Sequence, residues 1–292
     1  MDESFLDEFK PKKSRKNNNK KVKSIRLKPI PFLILLILFS SIILINLRSI
    51  LKWEKDNQEI NNLEEKIEEI IEITEIEEEG EIINPPVEKE SDYWYYIKVP
   101  FQDSDFTKLI EQNNDTVGFI HIRNTNINYP FVQTTNNDYY LTHAFDKSYN
   151  EAGWVYMDYR NNNFNDFNTI IYGHGRLNKT VFGSLKNTLN KDWQLDKDNY
   201  ILTISTPKKN SVYQIFSIYT IKAESYYIKT DFYNEKEKET WIEEMNNRNI
   251  SLMHSPANMN DKIITLSTCL NNNDERIVVH AKLIKLQNKE TE

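Results

Sequence analysis

The single cysteine of the chain, Cys269, has a sequence context that suits a nucleophile. It is the only cysteine among 292 residues, so an intramolecular disulfide is excluded. The thiol could be buried and inert, joined to another molecule, or reactive, and free cysteines are often buried. Cys269 follows the β-type run Ile263–Leu266 and precedes the polar cluster Asn271–Asn273. A residue that ends a strand and opens a polar loop is well placed for chemistry, which favours the reactive alternative.

Thiol catalysis of acyl transfer also needs a proton donor. Of the five histidines, His174 is favoured, because it follows a strand pattern that ends at Tyr172 and two glycines flank it, which leaves its ring uncrowded. His143 is the strongest alternative. His121 and His280 lie inside strand patterns and are predicted to be structural.

A third group must hold the developing negative charge. Arg276 begins the strand pattern that follows Cys269, and its planar guanidinium can bind a carbonyl or an oxyanion. If the two strands pair as neighbours, Arg276 lies near Cys269. The competing interpretation is a solvated arginine at a strand end. Together with His174, these residues predict acyl transfer.

The C-terminal part of the chain, residues 91–292, reads as one mainly β domain. Many short strands in one domain indicate a closed barrel or a sandwich. Helices are predicted over Phe106–Gln112, capped by Asp103 or Ser104, and from about Asn234 to Asn247, capped by Asn234. The predicted strands are Gly118–Arg123, Asn128–Gln133, Gly153–Asp158, Thr169–Tyr172, Tyr200–Ile204, Val212–Ile221, Lys262–Leu266 and Ile277–Ile284.

An uncharged apolar stretch, PIPFLILLILFSSIILINL at residues 29–47, predicts a transmembrane anchor, since about 20 apolar residues span a bilayer. A core helix would show regular polar positions, and a cleaved signal peptide would end in a small-residue site. Residues 1–28 form a basic tail, which predicts a cytoplasmic N-terminus and an extracellular catalytic domain on a single-pass membrane protein. The basic residues are Lys10, Lys12, Lys13, Arg15, Lys16, Lys20, Lys21, Lys23, Arg26 and Lys28.

Residues 48–90 are acidic and are predicted to form a helical stalk and linker. Ile60, Leu63 and Ile67 recur at helical spacing. The pattern is too short for a stable coiled coil, so we expect a solvated spacer helix. Gly80 and the Pro85-Pro86 pair should end it.

Composition argues against several other classes of protein. The net charge of −7 disfavours nucleic acid as the main partner. The sequence has no clustered Cys and His ligands for a metal and, with 6 glycines, no phosphate loop. We therefore expect neither a metal nor a cofactor.

The motif TLSTC ending at Cys269, the segment IIYGH ending at His174, and Arg276 at the start of a strand together resemble the sortases. The segments GWVYMDYRNN at 153–162, SYYIKTDF at 225–232 and DKIITLSTC at 261–269 are similar to class B members. The resemblance implies a closed eight-stranded sortase-type β-barrel with an N-terminal helix and an inserted helix before the strand that carries the cysteine.

The resemblance further implies a cysteine transpeptidase that anchors surface proteins to peptidoglycan. Cys269 would attack a sorting-signal peptide and cleave it after Thr, and the amine of a cell-wall precursor would resolve the acyl-enzyme. His174 would act as general acid and base, and Arg276 would hold the substrate carbonyl or the oxyanion. The implied peptide-binding residues are Asn137, Leu141, Tyr227, Ile228, Ser267 and Thr268.

Several alternatives remain open at the level of sequence. Leu141 and Ile228 could simply be core residues, and Leu270 replaces a polar residue that follows the cysteine in some relatives. A pilin-polymerising sortase, a general cysteine protease and an exported binding module without activity are the competing functions.

Overall fold

The computed structural model describes residues 29–77, 79–88, 91–270 and 274–289, and it gives positions 29, 30, 269 and 270 by their backbone alone. The predicted basic tail at 1–28, the Asn-rich loop at 271–273 and the side chain of Leu270 lie outside the described part.

The described chain contains five α-helices and eleven β-strands. The helices are α1 (Pro29–Ile70), α2 (Tyr93–Tyr96), α3 (Thr107–Gln112), α4 (Lys191–Leu195) and α5 (Glu235–Asn247). The strands are β1 (Ile73–Ile76), β2 (Glu81–Ile82), β3 (Phe101–Ser104), β4 (Thr116–Ile122), β5 (Asn128–Val132), β6 (Tyr156–Met157), β7 (Asn168–Tyr172), β8 (Ile201–Ser205), β9 (Lys209–Lys222), β10 (Ile263–Leu270) and β11 (Glu275–Asn288).

Eight of the strands close into a barrel. Their order is β10-β7-β6-β5-β4-β8-β9-β11, and antiparallel pairing of β10 with β11 closes the circle. The pairs β10–β7 and β5–β6 are parallel, so the barrel is mixed. Each predicted strand overlaps one of these eight. The prediction of a closed, mainly β barrel is confirmed, and the alternative of a sandwich is excluded.

The barrel is filled by the inward residues of its strands. Ile120, Phe131, Leu202 and Val279 are fully buried in one apolar cluster. These β-branched, aromatic and aliphatic residues suit a pleated surface that faces a core. Burial of this kind is the main stabilising contribution to the fold.

The inserted helix α5 covers one outer wall of the barrel. Its side chains Trp241, Ile242 and Met245 are buried in a second cluster with residues of β9, β10 and β11. The Asn234 side chain caps α5 by accepting a hydrogen bond from the Glu237 N–H at 2.9 Å, as the sequence predicts. The cap of α3 was assigned wrongly, because the carboxylate of Asp105 accepts the Thr107 N–H at 2.8 Å.

The segment before the barrel differs from the solvated spacer helix that the sequence predicts. Helix α1 ends at Ile70, well before Gly80. Ile60, Leu63 and Ile67 are 0%, 6% and 3% exposed, and they belong to the core cluster of the barrel. The apolar stripe on α1 therefore faces the catalytic domain, which sequence periodicity alone does not distinguish from a solvated or self-associating helix.

The residues after α1 also join the barrel as strands. Strand β1 pairs with β3 in antiparallel register, and β2 pairs with β11 at Lys285 and Leu286. The compact unit that contains the barrel begins at Lys52, whereas the sequence places the start of the domain near Ser91.

The N-terminal part of α1 belongs to a separate compact unit that ends at Leu51. The large apolar side chains between Phe32 and Leu51 are exposed. By length and composition, this is a helix that could cross a membrane.

Candidate active site

A groove of about 370 Å³ opens where β7, β10 and β11 meet at one mouth of the barrel. Seven residues that the sequence singles out line this groove: His174, Arg276, Leu141, Tyr227, Ile228, Ser267 and Thr268. They come from segments far apart in the chain, and the closed barrel brings them together.

Cys269 is located by the backbone of β10. It is paired in antiparallel register with Arg276, and opposed Cα atoms in such a ladder lie about 4.5–5.5 Å apart. Strand β10 runs on to Leu270, so Cys269 lies within the ladder rather than after the strand. The predicted proximity of these two positions follows directly from the hairpin-like pairing of β10 and β11.

The ring of His174 is held at the start of the loop after β7. Its Nε2 lies 2.9 Å from the carbonyl oxygen of Leu141. A carbonyl only accepts, so Nε2–H is the donor in this contact. The hydrogen bond fixes the ring against the turn that carries Leu141.

Gly153 makes room for this ring. It has a φ of +61°, and a Cβ added there would lie 2.5 Å from the carbonyl oxygen of Tyr140 and 2.9 Å from Cδ2 of His174. Both the left-handed backbone and the close approach require glycine at this position.

Burial lowers the pKa of His174 below its usual value. The hydrogen bond to Leu141 acts in the opposite direction, while the positive charges of Arg176 and Arg276 lower the pKa further. The neutral imidazole therefore predominates at neutral pH, and the imidazolium is a minority species.

His143 and His280 have contacts that hold their rings in the fold. His143 stacks on Tyr139 with ring centroids 4.0 Å apart. His280 is fully buried between Thr265 and Tyr219, with its ring nitrogens 2.8 and 2.9 Å from their hydroxyls. His174 is the histidine that lines the groove.

Arg276 is half-buried near the start of β11, and its Nη1 donates to the carbonyl oxygen of Glu275 at 3.1 Å. It supplies the guanidinium of the groove. An arginine keeps its charge at any physiological pH, so it is a permanent cation opposite the Cys269 position.

The wall on the side of β10 is polar and ordered. The hydroxyls of Tyr227 and Ser267 are 2.9 Å apart in a hydrogen bond. The hydroxyl of Thr268 is buried and has no hydrogen-bond partner among the described residues. A buried hydroxyl of this kind is a site where a ligand can contribute a hydrogen bond.

Asn137 is not among the residues that line the groove. Its Nδ2 donates to the carboxylate of Asp158 at 3.1 Å, and its Oδ1 accepts the Tyr159 N–H at 3.0 Å. A role for Asn137 in binding the peptide stays a prediction.

The groove is also lined by residues that the sequence does not single out. Tyr156, Tyr172, Glu224 and Ser225 also line it. Tyr172 directly precedes the Gly-His pair, so its position was a usable signal. The others could not be found, because loop and strand positions on the barrel wall depend on contacts far apart in the sequence.

Helix α1 contacts the loop that follows His174. Arg176 donates to the side-chain carbonyl of Asn57 on α1. The hydroxyl of Tyr129 donates to Glu64 on α1 at 2.7 Å and accepts the Val181 N–H at 3.0 Å. The end of the loop is thus fixed from the side of α1.

Comparison with known proteins agrees with this geometry. The family model described as Sortase domain matches residues 120–284. Sortase B of Listeria monocytogenes is 34% identical over 180 residues, which are 60% of this chain and 72% of the relative. The Staphylococcus aureus sortase B–substrate complex has 33% identity and a TM-score of 0.57, over 62% of this chain and 84% of that chain. A sortase B complexed with triglycine has 32% identity and a TM-score of 0.58, over 62% of this chain and 85% of that chain.

The family model covers more than half of the sequence, and solved sortase B structures match the fold at 32–33% identity. The chain therefore belongs to the sortase family, in class B, and is a cysteine transpeptidase.

Proposed function

We propose that this class B sortase cleaves a C-terminal sorting signal after Thr and transfers the acyl group to a cell-wall amine, with Cys269, His174 and Arg276 as its catalytic residues. The observation that supports this assignment is a groove that holds an imidazole and a guanidinium, with the guanidinium residue in register opposite Cys269.

In the first half-reaction, the Cys269 thiolate attacks the carbonyl carbon of the Thr residue. The C=O electrons move to oxygen, and the guanidinium of Arg276 stabilises the resulting oxyanion. The C–N bond then breaks, and the His174 imidazolium gives its proton to the leaving amine. The product is a thioester between Cys269 and the Thr acyl group.

In the second half-reaction, an incoming amine attacks the thioester. Neutral His174 accepts the proton of the attacking nitrogen, and the Cys269 thiolate leaves as the new amide bond forms. The low pKa of His174 suits this step, because the neutral imidazole predominates. The same lowered pKa means that attack of Cys269 on the peptide depends on a small population in which the thiolate and the imidazolium are both present.

The groove walls support a peptide as the substrate. Leu141 and Ile228 offer apolar contacts, and the Tyr227–Ser267 pair and Thr268 offer hydroxyls. A substrate complex of the S. aureus relative and a triglycine complex of another sortase B support a peptide donor and an amine acceptor.

The apolar part of α1 is proposed as a membrane anchor, with the N-terminus in the cytoplasm and the catalytic domain outside the cell. The support is the uncharged stretch at 29–47 after a basic segment at 1–28, a charge distribution that sets orientation in membranes.

The full-length chain in detergent micelles tests the catalytic assignment. It is incubated with a panel of sorting-signal peptides, and the acyl adduct on Cys269 is measured by mass spectrometry. Cys269→Ala should abolish the adduct, and His174→Ala and Arg276→Ala should each reduce its rate by about 10²–10⁴-fold. His254→Ala, a substitution at an exposed loop histidine, is the matched control and should leave the rate unchanged.

Near-wild-type adduct formation in either His174→Ala or Arg276→Ala would remove that residue from its role. Product analysis with and without triglycine or a diaminopimelate peptide separates the competing functions. A new amide product supports transpeptidation, hydrolysis alone indicates a protease, and no adduct with any peptide indicates a binding module. Transfer only to a pilin lysine would indicate a pilin-polymerising enzyme.

A further inference from the structure

A buried carboxylate behind the groove, Asp158, is the acceptor of an unusually complete set of hydrogen bonds. Its side chain is fully buried. The carboxylate accepts five hydrogen bonds. Three come from Arg160, from its backbone N–H, Nε and Nη2 at 2.9, 2.9 and 2.7 Å. The other two come from the Tyr172 hydroxyl at 2.9 Å and from Asn137 Nδ2 at 3.1 Å. Such a bidentate arginine contact has a defined geometry.

The same guanidinium also contacts Ile228, a second residue that lines the groove. Arg160 Nη2 also donates to the carbonyl oxygen of Ile228 at 3.0 Å. Ile228 and Tyr227 belong to the short turn Tyr226–Ile228, which connects β9 to the segment before α5. One side chain therefore ties the strand end after β6 to this turn.

Three pieces of the groove wall converge on the Asp158–Arg160 pair. Tyr172 is the last residue of β7, two positions before His174. Ile228 lines the groove from the turn Tyr226–Ile228. Asn137 leads into the turn whose Leu141 carbonyl holds the ring of His174. Each piece either lines the groove or orients a residue that does.

We propose that Arg160, held by Asp158, is a positioning residue that fixes the Ile228 wall of the groove relative to Tyr172 and so determines how tightly the peptide substrate binds. This inference rests on the proposed function of the groove as the peptide site. Arg160 does not touch the reacting atoms in this proposal, and it acts through the walls that it joins.

The chemistry of the pair predicts that lysine replaces only part of what the arginine does. A guanidinium donates from several nitrogens in a rigid plane, so it can bind both carboxylate oxygens and a carbonyl at once. An ammonium on a flexible stem keeps the charge beside Asp158 but loses the second contact. Arg160→Lys therefore retains the ion pair and releases the Ile228 carbonyl.

Burial acts to raise the pKa of Asp158, but the hydrogen bonds from Arg160 and Tyr172 outweigh it and leave the pKa below its usual range. The carboxylate is thus ionised throughout the working pH range. The Asp158–Arg160 ion pair therefore persists at neutral pH.

The test compares full-length Arg160→Lys with wild type in detergent micelles. KM and kcat are measured with the best sorting-signal peptide from the panel. The rate of Cys269 alkylation by iodoacetamide, a small reagent that needs no groove walls, and the Tm are measured in parallel. We expect KM to rise about 10-fold or more, as for loss of a hydrogen bond to a charged group, while kcat, the alkylation rate and the Tm stay near wild type.

Arg123→Lys is the matched control, because Arg123 is half-buried and does not line the groove. It should change none of the four quantities. Tyr172→Phe removes one donor to the same carboxylate and should shift KM in the same direction by a smaller factor. This variant carries the test if Arg160→Lys does not fold.

An unchanged KM in folded Arg160→Lys would overturn the inference, and if Arg160→Lys does not fold, an unchanged KM in Tyr172→Phe would overturn it. It would also be overturned if KM rose only together with a lower Tm and slower alkylation, since that pattern describes general loss of structure. Wild-type protein that never reacts with any peptide would refute the proposed function itself, a result that is distinguishable from turnover with an unchanged KM.

Discussion

Replacing Ile60 by alanine tests whether the segment before the barrel is part of the catalytic domain. The side chain is 0% exposed and belongs to the apolar core cluster of the barrel. Truncating a fully buried isoleucine costs about 2–5 kcal/mol, because apolar contacts are lost and a cavity remains. In a solvated spacer helix the same change would cost less than about 0.5 kcal/mol.

The expected loss is large enough to measure by thermal unfolding. In a domain of this size, about 1 kcal/mol shifts the Tm by about 2–4 °C, so Ile60→Ala should lower the Tm by about 4–20 °C. The full chain in detergent micelles is heated and followed by near-ultraviolet circular dichroism, which reports packing of the aromatic core rather than the helix in the micelle.

Ile250→Ala is the matched control, since Ile250 is 61% exposed. The reasoning is refuted if Ile60→Ala and Ile250→Ala give the same Tm. That result would mean that α1 separates from the barrel in solution and that its apolar stripe is solvated or bound elsewhere.

Three further predictions concern ionisable groups. Arg176→Gln should raise the pKa of His174, because the charge of Arg176 helps to lower it; histidine NMR titration measures the change. Burial lowers the pKa of His280 to about 3, so its neutral form stabilises the fold fully above about pH 6.5. As the pH falls from 6.5 towards 3, the free energy of unfolding should fall by up to about 1.4 kcal/mol per pH unit, as measured by urea unfolding. Burial raises the pKa of Glu64, so its ionisation costs stability as the pH rises through that pKa, and Glu64→Gln should raise the free energy of unfolding at neutral pH while keeping an acceptor for Tyr129.

Each of these has a definite contrary outcome. An unchanged or lower pKa of His174 in Arg176→Gln would show that the charge of Arg176 does not reach the ring. A variant such as His280→Gln that loses stability with falling pH as steeply as wild type would assign that slope to other groups. Lower stability of Glu64→Gln at neutral pH would indicate that the ionised carboxylate is favourable in its contact with Tyr129.

The barrel and its mouth were predictable because their signals are local. Each barrel strand is a run rich in β-branched and aromatic residues between turn residues, and many such runs in one domain indicate a closed or layered sheet. The positions of Cys269 and Arg276 on adjoining strands follow from the short connection between them. His174 was predicted from its place after a strand and between glycines, and it lines the groove.

The rest depends on contacts between distant parts of the chain. The stripe of Ile60, Leu63 and Ile67 indicates an amphipathic helix, but a stripe does not specify which surface it covers. The Asp158–Arg160 pair is only two residues apart in sequence, yet its connection to Ile228 exists only in the folded barrel. The requirement for glycine at 153 comes from the ring of His174, which is also a tertiary contact.

The packing of Ile60, Leu63 and Ile67 of α1 against the barrel determines where a protease could separate an intact catalytic domain from the apolar part of α1. A protease that cut near the exposed Pro85-Pro86 segment would release a barrel without β1, β2 and the buried face of α1. The freed enzyme would expose a new apolar patch and tend to aggregate. Release of an intact catalytic domain requires a cut before Lys52, where the compact unit begins, so we expect a cut at the Pro85-Pro86 segment to destabilise the enzyme that it releases.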